Sequence, residues 1–78
     1  MSAPFPLSEL AVGERAIVVE VALEGAYGRR LEDLGFAPDT EVTCRRRAPL
    51  GDPRVYELRG VQLCLRSREA QAIRVRRT

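Results

Sequence analysis

Hydrophobic positions along this 78-residue chain change period several times, and each change marks an element. Pro6-Leu7-Ser8-Glu9-Leu10 predicts one helical turn, with Ser8 as its cap, Glu9 at the positive end of its dipole and Gly13 closing it. Leu7 and Leu10 then face the core. Arg15 to Ala22 is rich in β-branched residues and predicts a first strand, with Ile17, Val19 and Val21 on one face and Val18 and Glu20 on the other. From Ala26 to Leu34 the period lengthens: Tyr27, Leu31 and Leu34 fall at i, i+4 and i+7 and share one side of a short helix. Gly35 stands at the position that ends such a helix in a left-handed residue, and Pro38 blocks continuation. Gly28 costs this helix about 1 kcal/mol relative to Ala, so it depends on tertiary packing.

Alternation returns at Thr40 to Arg47, with Val42 and Cys44 on one face and Glu41, Thr43 and Arg45 on the other. Ala48-Pro49-Leu50-Gly51-Asp52-Pro53 predicts a stiff turn, because two prolines fix φ and Gly51 permits a positive one. Tyr56 and Leu58 then point one way in Arg54 to Arg59, and Gly60 allows a tight reversal into Val61 to Arg66, whose apolar face is Leu63 and Leu65. Ser67 caps a turn through Glu69 and Ala70, and Ala72 to Arg77 closes the series with Ile73 and Val75 inward. Five short strands, one helix after the first strand and one-turn helices near both ends fit a small SH3-like barrel, closed or nearly so. An OB-type barrel is the rival, but its helix falls between the third and fourth strands, where this chain has the Gly60 turn. The expectation is a single domain over 1–78, with a core at about 7–75 and an N-terminal extension at 1–6.

Composition narrows the chemistry. Hydrophobic residues make up 45% and charged residues 31% of the chain, the profile of a folded domain. No apolar run is long enough to cross a membrane, and the first six residues have neither the basic region nor the apolar core of a signal peptide, which places the protein in the cytoplasm. Cys44 and Cys64 lack metal or redox spacing and differ in strand parity, so they read as reduced apolar fillers. With no histidine, Ser-His and Cys-His nucleophile pairs are excluded and the commonest transition-metal ligand is missing. No phosphate-cradling glycine loop is present, so no cofactor, metal or catalytic residue is expected.

All cationic side chains are arginine, and the net charge of +2 is small for a nucleic-acid footprint. Arg45-Arg46-Arg47 is the densest run, yet its side chains alternate faces on a strand, and the four aromatic residues are scattered rather than gathered as a stacking platform. Nucleic-acid binding through Arg45, Arg47, Arg74 and Arg76 therefore stands as an alternative, and no nucleic acid is the expectation. Arg29, three and four residues before Glu32 and Asp33, predicts ion pairs on the outer helix face.

Arg29-Arg30-Leu31-Glu32-Asp33-Leu34-Gly35-Phe36-Ala37-Pro38-Asp39-Thr40 resembles the pattern R-R-L-x-x-L-G-[LF]-x-P-G-T of the FeoA family. Arg47-Ala48-Pro49-Leu50-Gly51-Asp52-Pro53 is similar to the family's R-A-P-L-G-D-P turn. Arg59-Gly60, Leu63, Leu65, Arg66, Glu69-Ala70 and Ile73 resemble its closing segment. The likeness runs from Leu7 to Val75. It implies an SH3-like barrel in the bacterial cytoplasm that assists FeoB, a membrane transporter of ferrous iron with a GTP-binding cytoplasmic portion. The same fold serves as a C-terminal domain of iron-dependent repressors, but this chain carries no helix-turn-helix segment. Asp39 stands where the family has glycine, which predicts a type I turn in place of type II. Val61 stands where an aromatic residue is common.

Taken together, these features predict a protein-interaction module whose docking surface is the helix 26–34 and the Pro49–Pro53 turn. Tyr27, Arg29, Arg30, Leu31, Arg47, Leu50 and Asp52 are the candidate contact residues, with Leu34 assigned to the core. The alternative use of Arg29, Arg30 or Arg47 is as an arginine finger supplied in trans to the partner's GTPase site.

Overall fold

The computed structural model describes residues 3–78; Met1 and Ser2, at the start of the expected extension, lie outside the described residues. Six antiparallel strands form one bent sheet: β1 (Phe5–Pro6), β2 (Arg15–Val21), β3 (Glu41–Arg47), β4 (Arg54–Leu58), β5 (Val61–Leu65) and β6 (Ile73–Arg77). Their order is β1-β6-β2-β3-β4-β5, so β1 and β5 are unpaired edges and the barrel stays open between them. A 3-10 turn at Leu7–Glu9 packs against helix α2 (Ser67–Gln71), and helix α1 (Gly25–Asp33) is inserted between β2 and β3.

Six strands form rather than five because Phe5 and Pro6, expected in an N-terminal extension, pair with Val75 and Arg74 of β6. The Arg77 guanidinium stacks over the Phe5 ring, 4.6 Å from its centre. Leu7 and Leu10 do enter the core, but Ser8 caps nothing: Pro6 precedes the turn without a side-chain hydrogen bond, and the turn closes at Leu10, whose N–H donates to the Leu7 carbonyl. Gly13 instead donates to the Cys44 carbonyl and ties the turn's exit to β3.

Two bulges decide which side chains face inward. In β2 the register with β6 shifts between Val18 and Glu20. Ala16 and Val18 are buried before the shift, and Val21 packs on the core after it. The expected Ile17-Val19-Val21 face is thus not a single buried face, because an inserted residue inverts the parity. In β3 the shift lies between Cys44 and Arg46. Val42 and Cys44 are buried as predicted, while Arg47, opposite Arg54, turns to their side and donates to the Leu10 carbonyl at 3.1 Å. Tyr56, Leu58, Leu65, Ile73 and Val75 complete the inward faces. The Tyr56 hydroxyl donates to the Leu7 carbonyl at 3.4 Å, and burial pushes its phenol well above the usual range.

Helix α1 ends as its sequence demands. Phe36 N–H donates to the Leu31 carbonyl at 3.1 Å and Gly35 N–H to the Glu32 carbonyl at 2.9 Å, with Gly35 at φ +123°. This pair of bonds satisfies the last carbonyls and drives Phe36 into the core beside Leu31. The Pro38-Asp39 turn differs from expectation. Asp39 has φ +70°, and Thr40 N–H closes the turn on the Ala37 carbonyl at 3.2 Å. The turn keeps the left-handed third residue of type II because Asp39 N–H must reach the Val18 carbonyl at 2.8 Å. Asp39→Gly is therefore expected to stabilise the protein by about 0.5–1 kcal/mol, a rise of a few degrees in Tm by calorimetry. A lower Tm contradicts the strain at Asp39.

Candidate functional site

The expected docking residues fall into three groups. On α1, Tyr27 is 47% exposed, Arg29 and Arg30 are exposed, and Leu31 is only 1% exposed. Leu34, expected in the core, is 42% exposed, because it is the C-cap residue and the chain reverses immediately after it. Leu31 thus takes the core position that the helical period offered to three residues. The ion pairs expected from Arg29 to Glu32 or Asp33 do not form; among the described residues the pairs within 4.0 Å are Arg45–Glu57 and Arg77–Glu14.

At the β3–β4 turn, Gly51 N–H donates to the Ala48 carbonyl at 2.7 Å and Ala48 N–H to the Pro53 carbonyl at 3.0 Å. This rigid loop holds Leu50 at its tip, 96% exposed. Asp52 works inward from the same loop: its Oδ1 accepts Ser67 N–H at 2.8 Å, placing a carboxylate at the start of α2. Ser67, expected to cap α2, is its first residue, and its hydroxyl accepts from Arg54 Nη1 at 2.6 Å. The Arg66 N–H is satisfied by Glu69 Oε1 at 2.8 Å. Arg47, held at Leu10, stands apart from these contacts.

Between α1 and the β5–α2 segment lies a groove of about 440 Å³, lined by Ala26, Tyr27, Arg30, Leu31, Leu34, Cys64, Leu65 and Glu69. Leu31 and Leu65 are its buried floor, and Tyr27 and Leu34 its accessible apolar wall. The Tyr27 hydroxyl donates to Glu69 Oε2 and so fastens α1 to α2. The groove joins Tyr27, Arg30 and Leu31 of the expected set; Leu50 and Asp52 connect to it through the Asp52–Ser67 bond and α2, and Arg29 lies outside it. The sequence reading missed Leu34, Cys64 and Glu69. Cys64 was findable, since its parity opposite Leu63 and Leu65 already put it outside the barrel.

The Tyr27 hydrogen bond and the Arg66 N–H hold the Glu69 carboxyl below its ordinary value of 4.5, with Arg68 and Arg30 adding to the effect. The Ala11 N–H and Arg77 lower Glu14 likewise. A carboxyl depressed in the folded state contributes stability above its unfolded pKa and loses it as pH falls through the folded one. With no histidine, urea midpoints are expected to stay flat from about pH 5.5 to 7.5 and to drop below about pH 4.5. Glu69→Gln should flatten part of that drop; an unchanged acid limb removes the role of the Tyr27–Glu69 contact. Cys44 is buried, which pushes its thiol up, whereas Cys64 is exposed, so the two do not share a site. Of the four arginines proposed for nucleic acid, Arg45 is bound to Glu57, Arg47 to the Leu10 carbonyl and Arg74 to the Pro4 carbonyl.

An open antiparallel barrel with an apolar groove on its flank defines a small SH3-like module. Residues 5–77 match the FeoA domain, and the chain belongs to the FeoA family. It is 44% identical to the FeoA protein of Chlorobium tepidum, whose solution structure covers 94% of this chain over 70% of its own, with a TM-score of 0.87. The Stenotrophomonas maltophilia FeoA crystal structure, a complex with zinc described as a prokaryotic SH3 domain protein, is 31% identical. It covers 95% of this chain and 89% of its own at a TM-score of 0.78. The Fe(2+) transport protein A/Fe(2+) transporter FeoB fusion protein of Porphyromonas gingivalis is 35% identical over 69 residues. That match takes in 88% of this chain but spans 8% of the fusion protein's length. No helix among the described residues is long and apolar enough to cross a membrane.

Proposed function

We propose that this protein is an accessory of ferrous iron uptake that docks on the cytoplasmic portion of an FeoB-type transporter and modulates it. The observation that carries this reading is the groove beside α1, where Tyr27 and Leu34 offer apolar surface to solvent on a helix fastened to α2 by the Tyr27–Glu69 hydrogen bond. The Porphyromonas gingivalis relative supports the choice of partner, because joining the two proteins in one chain raises their effective concentration for each other. Leu50, displayed on its turn, is a second apolar anchor. The test is calorimetric titration of the FeoB-type cytoplasmic portion with wild type, Leu34→Gln and Leu50→Gln. Glutamine suits the helix end and adds no charge there. Each variant is expected to bind about tenfold more weakly while its fold is retained. Undiminished binding by both sinks the site. GTP hydrolysis measured in the same mixtures separates activation, in which Arg30 of the groove is the available arginine, from scaffolding.

A further inference from the structure

The two edges of the sheet differ. β1 is two residues long and contains Pro6, which has no N–H to offer, so that edge is blunted. β5 has none of these protections. Val61-Gln62-Leu63-Cys64-Leu65 carries no charge and no proline, and it pairs with β4 in unbroken register from Leu58↔Val61 to Arg54↔Leu65.

The turn sets which backbone groups point outward. Arg59 at φ +53° and Gly60 at φ +78° form a two-residue reversal of type I′, which makes Leu58 and Val61 a hydrogen-bonded pair. Alternation along an antiparallel ladder then directs the N–H and C=O of Val61, Leu63 and Leu65 toward β4, and those of Gln62 and Cys64 away from it. Among the described residues, no turn or loop backbone group takes up the Gln62 or Cys64 amide. The open space beside Cys64 and Leu65 is the groove, with α1 as its far wall.

We infer that the outer edge of β5 receives an extended, acidic segment of a partner protein as an added strand lying between β5 and α1. The inference deepens the docking reading and rests on it for the groove being a protein-binding site. Main-chain bonds to Gln62 and Cys64 hold the segment, and alternate apolar side chains of the segment meet Tyr27 and Leu34. Charge selects its chemistry. Arg30 lines the groove, Arg59 and Arg66 flank β5 and are exposed, and Arg68 stands near enough to act on Glu69, the carboxylate among the lining residues, so guanidinium outnumbers carboxylate around this edge. The arginines at the two ends of β5 disfavour a second copy of this chain. Antiparallel pairing of β5 with itself brings the Arg59 end of one strand against the Arg66 end of the other.

The probe is a capped peptide of about nine residues alternating valine with glutamate, with lysine replacing glutamate in its counterpart. Amide exchange of the isotopically labelled protein is followed by NMR. The glutamate peptide is expected to slow exchange at Gln62 and Cys64 by about tenfold or more, and the lysine peptide is not. Gln62→Pro, which removes an N–H that β4 does not use, should weaken peptide binding about tenfold; the exchange measurement on wild type stands without it. Protection absent from β5, equal protection by both peptides, or concentration-dependent protection in the free protein overturns the inference. Gln62→Pro is then titrated with the FeoB-type cytoplasmic portion. Binding equal to wild type overturns the added strand and leaves the docking reading intact, whereas no binding by wild type overturns the docking reading itself.

Discussion

Gly28→Ala is expected to lower the stability of this protein by about 2–4 kcal/mol, although helix propensity alone predicts a gain of about 1 kcal/mol at an interior helical position. The chain enters α1 by folding Leu23 beneath the first turn. A Cβ at position 28 would lie 1.9 Å from the Leu23 carbonyl oxygen and 2.8 Å from its carbon. Both atoms are backbone, so no rotamer change relieves the overlap, and either the entry to α1 or its first turn must move. Small barrels of this length hold only about 3–5 kcal/mol of net stability. The expected readout is a fall of roughly 10–20 °C in Tm, with the urea midpoint lowered in proportion. A Gly28→Ala protein as stable as wild type shows that the Leu23 segment yields easily, and removes the reason for glycine here.

The same glycine shows where local sequence stops being informative. Gly28 read as a cost to the helix, because its neighbour across space is the carbonyl of Leu23, which periodicity cannot reveal. Signals that depend on adjacent residues were legible: the Gly35 helix end, the Gly60 reversal, and the alternation of Val42 with Cys44 and of Ile73 with Val75. Features set by distant pairing were not. The bulges in β2 and β3 arise from how those strands meet β6 and β4, and each inverts side-chain parity midway, which is why Val19 is not a core residue and Arg47 is not a free surface one. Phe5 and Pro6 become a strand only because Val75 and Arg74 lie beside them, at the opposite end of the chain. Within the candidate site, Leu50 was legible as a residue on a stiff turn. Leu31 and Leu34 were not separable, because the helical period assigns both to one side and only the reversal after Leu34 lifts it away from the barrel.

That separation makes a second expected result. Leu31→Asp should leave the protein unfolded at room temperature, while Leu34→Gln changes stability by less than about 1 kcal/mol. Leu31 is 1% exposed and packs in the core with Phe36 and Leu58, so truncation alone removes about 2–5 kcal/mol. An aspartate there must also lose its hydration or take up a proton, and either adds a further cost that this small core cannot absorb. Leu34 has solvent over two fifths of its surface and no such penalty. Circular dichroism and urea titration of the two variants decide the matter: a folded Leu31→Asp protein places Leu31 at the surface after all. The pair also fixes how binding data are to be read. Lost partner binding in Leu31→Asp follows from lost fold and says nothing about contact, whereas lost binding in a folded Leu34→Gln protein locates the partner on the groove.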